Sequence, residues 1–120
     1  MYATAVADAG GLLTAAGIVQ GLRHEVIDYV ALDGTTLLLA EYLVVLHEGR
    51  PTRAAADFAD IARIVSEWFP VRAVALDAAL NVADGEIDSY AALALAETLG
   101  IPLVTRNEAL NSRKVPVLRS

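Results

Sequence analysis

Cysteine is absent from this 120-residue chain. That excludes disulfides, thiolate metal sites and a cysteine nucleophile, and it fits a reducing cytoplasm, the expected location. Histidine is scarce: His24 and His47 are too few for a zinc site, and neither has a placed partner for nucleophilic hydrolysis. There is no G-x-S-x-G elbow and no G-x-x-x-x-G-K-[ST] loop, so serine-hydrolase and P-loop chemistries find no support. No apolar run reaches the roughly 18 residues of a membrane span, and no membrane partner is expected. The opening MYATAVADAGG lacks the basic stretch of a secretory signal. Neither internal repeats nor low-complexity tracts occur.

What is present is apolar. Hydrophobic residues make up 56% and charged residues 20%, too apolar for disorder and enough for one domain, residues 1–120, with a real core. The net charge of −6 argues against nucleic-acid binding by bulk attraction. From Arg106 onward, however, Arg106, Arg113, Lys114 and Arg119 face only Glu108, a local +3. That stretch reads either as a solvated tail or as a basic rim beside an acidic, phosphate-handling centre.

Along the chain, Tyr2–Ala7 reads as a strand ending at Asp8, with Gly10-Gly11 turning into a helix from about Leu12 to Leu22. Asp8 is either a carboxylate aimed across the top of a sheet or a helix cap. Arg23–Leu32 is ambiguous, being β-branched but interrupted by charge, and Asp33-Gly34 is a turn. Thr35-Thr36 opens a helix whose core, LLLAEYLVVL, carries one charge, Glu41. An acid in such a run lies on a narrow solvent stripe or points into a polar cleft where a cation offsets its desolvation; the apolar neighbours Leu37, Leu38, Tyr42 and Val45 favour the cleft. His47, at the end of this helix, reads as answering its dipole.

Gly49-Arg50-Pro51-Thr52 breaks the chain, with Thr52 as the expected cap of an amphipathic helix over Arg53–Phe69 that Pro70 ends. Arg72–Leu76 reads as a strand closed by Asp77, followed by a short helix to about Ala83 and a loop at Asp84-Gly85-Glu86. Asp88-Ser89 reads as the start of a nearly buried helix that Gly100 stops. Pro102–Thr105 is a short buried strand with Arg106-Asn107-Glu108 as its polar end, and Val115–Leu118 an edge strand because Pro116 cannot donate to a ladder. Strands alternating with helices predict an α/β fold, a three-layer α/β/α sandwich with a mainly parallel sheet. Ligands in such sheets bind at the strands' carboxyl ends.

Asp8, Glu41, Asp88 and Asn107 fall where such a sheet would gather them. Oxygen-only ligands suit Mg²⁺ or Mn²⁺, and such ions activate water and stabilise the leaving oxygen of a phosphodiester. The order of elements also resembles a PIN domain, and among these the short VapC-type toxins of toxin–antitoxin pairs. Val6–Leu13 (VADAGGLL) is similar to that family's opening strand and aspartate, Leu39–Leu46 (LAEYLVVL) to its glutamate-bearing helix, and Ala94–Thr105 (ALAETLGIPLVT) to its most recognisable run.

The resemblance implies a metal-dependent endoribonuclease hydrolysing RNA phosphodiesters, blocked by a cognate antitoxin. Asp8, Glu41 and Asp88 would hold Mg²⁺ or Mn²⁺, and Thr105 would support the site through its hydroxyl. Two departures stand out. Counting back from Gly100, the family's third acid falls on Ser89, one residue after Asp88, and Asn107 stands where the family usually has an acid. These departures motivate the alternative of a degenerate PIN-like domain acting as a protein-binding or oligomerisation module. The high apolar fraction implies a covered surface, a homodimer or an antitoxin groove, with Val44, Val45, Trp68 and Phe69 as candidates.

Overall fold

Residues of the first strand alternate between two hydrophobic clusters, and this alternation builds the layers. Strand β1 (Tyr2–Ala7) sends Ala5 and Ala7 to one face and Val6 to the other, the period of two that a pleated strand imposes. The computed structural model describes residues 1–82 and 86–120. Four further strands pair with β1 in one sheet: β2 (Val26–Leu32), β3 (Val65–Phe69), β4 (Leu103–Thr105) and β5 (Val117–Arg119). Their order is β3-β2-β1-β4-β5, and every pairing is parallel.

Helices α1 (Ala9–Ala15), α2 (Thr35–Leu46) and α3 (Pro51–Ile64) bury Leu12, Leu39, Leu43 and Ile61 against Ala5, Ala7, Tyr29, Ala31 and Val104. On the opposite face, α4 (Ala73–Val82) and α5 (Ile87–Leu99) set Ala79, Ala91, Ala92 and Ala96 against Val6, Val30, Leu32 and Leu103. Small residues on α5 let it lie close to the sheet. The result is the expected three-layer α/β/α sandwich. The chain runs outward from β1 through β2 and β3, then crosses to β4 on β1's other side, so strand order reverses between β1 and β4. In open parallel sheets, the crevice outside the carboxyl ends at such a reversal is where ligands bind.

Several local expectations are corrected. The third strand is Val65–Phe69, inside the stretch expected to be helix, and Arg72–Leu76 lies largely within α4. Helix α1 is shorter than expected and starts at Ala9, directly after Asp8. Pro51 occupies the first turn of α3, so Thr52 lies inside that helix and is not its cap. Of the ambiguous Arg23–Leu32, Val26–Leu32 is strand. Gly100 ends α5 in the left-handed conformation at φ 69°, as read from its sequence. Strand β5 is an edge strand, one to two residues later than expected. The Asp84-Gly85 part of the expected loop, and Ala83, lie outside the described residues. No helix among the described residues is long and apolar enough to cross a membrane.

Candidate functional site

At the carboxyl end of β1, Asp8 is 1% exposed. Its extended backbone (φ −82°, ψ −178°) makes it the N-cap of α1, and Oδ1 accepts the Gly11 N–H at 2.8 Å. Oδ2 accepts from Ser89 Oγ at 2.6 Å and from Thr105 Oγ1. Both readings of Asp8 therefore describe one side chain: it caps the helix and also faces the ends of β4 and α5. Burial pushes its carboxyl above the usual carboxylate range, the three donated hydrogen bonds pull it back, and the charge of Asp88 adds a small upward push.

Asp88 and Ser89 do not cap α5. That helix begins at Ile87, and Glu86 stands at its cap without a side-chain hydrogen bond to the helix backbone. Both residues instead lie in the first turn and reach outward. Asp88 accepts from Ala9 N–H at 2.9 Å and from Thr35 Oγ1 at 2.5 Å, tying the starts of α5, α1 and α2 together. Asp88 and Ser89, one step apart, thus both serve this centre, Asp88 through neighbouring helices and Ser89 through Asp8. Glu86 Oε2 stands 3.2 Å from the Ser89 hydroxyl.

Thr105 is fully buried and uses its hydroxyl twice, donating to Asp8 and accepting the Asn107 N–H at 3.0 Å. Asn107 lines the cleft, but its side-chain oxygen accepts from Ala109 N–H at 2.9 Å, the geometry by which an Asx side chain shapes its own turn. The Arg119 guanidinium braces that turn through the carbonyls of Asn107, Glu108 and Leu110. Loss of the Ser89 donor gives a direct check. Ser89→Ala removes a hydrogen bond to the ionised form, so Asp8 should bind its proton roughly tenfold more tightly. An NMR titration of the Asp8 carboxyl measures this, and an unchanged curve would show that the hydroxyl does not donate to it.

These residues open onto a cleft of about 710 Å³, whose walls include Asp8, Asp88, Glu86, Arg106 and Asn107 on the polar side and Leu13, Val19, Leu38 and Tyr42 on the apolar side. Partial burial, then the charges of Glu86, Asp88, Asp8 and Glu41, raise the Tyr42 phenol above its ordinary range. Glu41 itself is exposed on α2 and does not line the cleft. The cleft position expected for it is corrected to the solvent stripe. That stripe is itself apolar, with Leu37, Val44, Val45 and Leu46 at least half exposed.

The structure therefore gathers Asp8, Asp88, Thr105 and Asn107, and leaves Glu41 out. Sequence reasoning missed Glu86 and Tyr42 as cleft residues, and named Arg106 only within a basic rim or solvated tail. Arg106 carried a signal, since it follows a central strand as Asp8 does. As a metal site the donor set is oxygen only. Among the described residues no group of three or more acids or histidines closes around a metal position. Mg²⁺, however, is commonly held by one or two carboxylates with waters and substrate phosphates. Of about four acceptor directions on each carboxylate, Asp8 spends three and Asp88 two on protein donors. Asp8 and Asp88 are thus the carboxylates that would hold such an ion, with about one and two acceptor directions unspent. No family model, curated protein or solved structure matches this chain.

Proposed function

We propose that the chain is a metal-dependent endoribonuclease of toxin type, in which Asp8 and Asp88 hold Mg²⁺ or Mn²⁺ beside an RNA phosphodiester. The observation that carries this reading is the convergence of two carboxylates, one from β1 and one from α5, on a single cleft at the sheet's reversal point. A bound divalent ion would supply an activated water and offset the charge that builds on the leaving oxygen. The protein's own part is to orient and to exclude. Thr105 and Ser89 fix the Asp8 carboxylate, Thr35 fixes Asp88, and Leu13, Val19 and Leu38 add apolar lining to the cleft.

The test is cleavage of single-stranded RNA with Mn²⁺, run beside calorimetric titration of the ion. Cleavage that needs Mn²⁺ and stops with chelator is the expected result; cleavage that survives chelation removes the reading. A second reading, a non-catalytic PIN-like binding module, is favoured by the exposed Glu41 and by the many acceptor directions Asp8 already spends on its own fold. It predicts neither heat nor thermal stabilisation with millimolar metal. For partners, an antitoxin or a second copy of the chain would gain from the exposed apolar stripe of α2. Of the four residues expected to be covered, Val44 and Val45 are on it, whereas Trp68 and Phe69 are already half-buried.

A further inference from the structure

We infer that Arg106 is the phosphate anchor of this cleft and that the ligand it receives is a nucleotide, an inference resting on the metal-site reading above. Arg106 is the one cation among the described residues lining the cleft, which is also lined by Asp8, Glu86 and Asp88. Yet it forms no ion pair: the salt bridges among the described residues are His47–Asp57 and Arg63–Asp60. Its Nη1 is instead spent on neutral acceptors, Thr14 Oγ1 at 3.1 Å and the Gln20 carbonyl at 2.8 Å. No described protein group accepts from Nε or Nη2.

The chain makes room for this side chain. A Cβ on Gly10 would stand 3.2–3.3 Å from the Arg106 stem, and one on Gly21 would stand 3.0 Å from Nη1. Two glycines thus form a channel that holds an exposed guanidinium in place, so little of its rotamer freedom remains to be lost on binding. The free edge of a guanidinium matches two phosphate oxygens.

Three carboxylates and one guanidinium leave the cleft at −2, which repels a phosphate. A dication held by Asp8 and Asp88 would cancel that charge and let a phosphate approach Arg106. Metal and phosphate must therefore strengthen each other's binding by the same factor. The apolar wall with the Tyr42 ring offers the surface on which bases stack. The cleft's volume of about 710 Å³ lies within the roughly 300–1,000 Å³ usual for small-molecule sites.

Adenosine 5′-monophosphate, which has no diester to cleave, is the probe, titrated by calorimetry into protein loaded with Mg²⁺. Arg106→Met should weaken it at least about tenfold, the effect of losing a charge-assisted pair, while Mg²⁺ affinity measured alone changes by less than about threefold. Thr14→Val, which loses one tether and keeps the charge, should weaken the nucleotide by a smaller factor and guards against a misfolded Arg106 variant. Inorganic phosphate should bind at least about tenfold more weakly than the nucleotide, since it cannot stack. Wild-type affinity in Arg106→Met, or no uptake by Mg²⁺-loaded wild type, overturns the anchor; equal affinity for inorganic phosphate overturns the nucleotide. Should wild type take no Mg²⁺, the metal reading fails, and the same titration in chelator decides the anchor. Binding lost with Arg106→Met then sustains it, and absence of binding refutes it.

Discussion

Asp8→Asn should abolish Mn²⁺-dependent RNA cleavage and, measured in chelator at neutral pH, raise the melting temperature. The two effects share one cause. Asp8 is held almost out of contact with water, and burial outweighs the hydrogen bonds from Gly11, Ser89 and Thr105, so its carboxyl is raised above the ordinary value of 3.8. A raised pKa means that the folded state binds the proton more tightly than the unfolded chain does. Stability therefore falls as pH rises from about 3.8 through the raised folded value, and above that value the penalty is complete. Asparagine keeps the shape and carries no such penalty. Its oxygen takes the Gly11 N–H, and its amide faces two hydroxyls that can turn to accept.

The expected gain is about 0.5–2 kcal/mol, or roughly 2–8 °C, and it should shrink as the buffer is acidified toward the ordinary carboxylate range. Asp8→Ala is the contrasting variant. It strands three donors, two of them on buried side chains, and should cost about 3 kcal/mol or more. Thermal melts of the three proteins across pH settle the matter. An Asn variant less stable than wild type at neutral pH would mean that Asp8 is not a strained charge, and persisting cleavage would remove it from the chemistry.

Asp8 was legible because a strand with a period of two ended on it and glycines followed. The same kind of signal found β4, since Gly100 and Pro102 bracket its start, and β5, where Pro116 precedes an edge strand and contributes only its carbonyl, to Leu103 N–H. Strand β3 was not legible. Phe58, Ile61, Val65 and Trp68 keep helical spacing, and no glycine or proline separates Ile64 from Val65. The change from helix to strand is decided by pairing with Tyr29–Leu32, a tertiary choice that local pattern does not encode. With β3 placed there, Arg72–Leu76 had no strand to fill, and its alanines and leucine served equally well in α4. Glu41 misled for a related reason: LLLAEYLVVL reads as buried on every side, yet only Leu39 and Leu43 of its apolar residues are fully covered. The helix is apolar where it meets solvent as well as where it meets the core. Asp88 and Ser89 looked like rivals for one position. They divide the work because Asp88 bonds to α1 and α2 while Ser89 bonds to Asp8.

Gly11→Ala should destabilise the protein by about 2–4 kcal/mol, although a glycine-to-alanine change inside a helix ordinarily stabilises by about 1 kcal/mol. The sign is set by one contact. A Cβ at position 11 would stand 2.2 Å from the Val104 carbonyl oxygen, 2.9 Å from its carbon and 3.2 Å from Asp8 Oδ1. Val104 is backbone of a central strand, and the same carbonyl accepts the Asp8 N–H, so it cannot swing aside as a side chain would. Helix α1 must retreat by on the order of 1 Å to restore ordinary contact, drawing the Gly11 N–H away from Asp8 and loosening the capped carboxylate. Gly10→Ala is the internal control: the nearest atoms to its Cβ belong to the Arg106 side chain, at 3.2–3.3 Å, which can yield. Urea unfolding should therefore place Gly11→Ala well below wild type and Gly10→Ala within about 1 kcal/mol of it. If Gly11→Ala were as stable as wild type, α1 would not be seated against β4, and the geometry that presents Asp8 to the cleft would be lost with it.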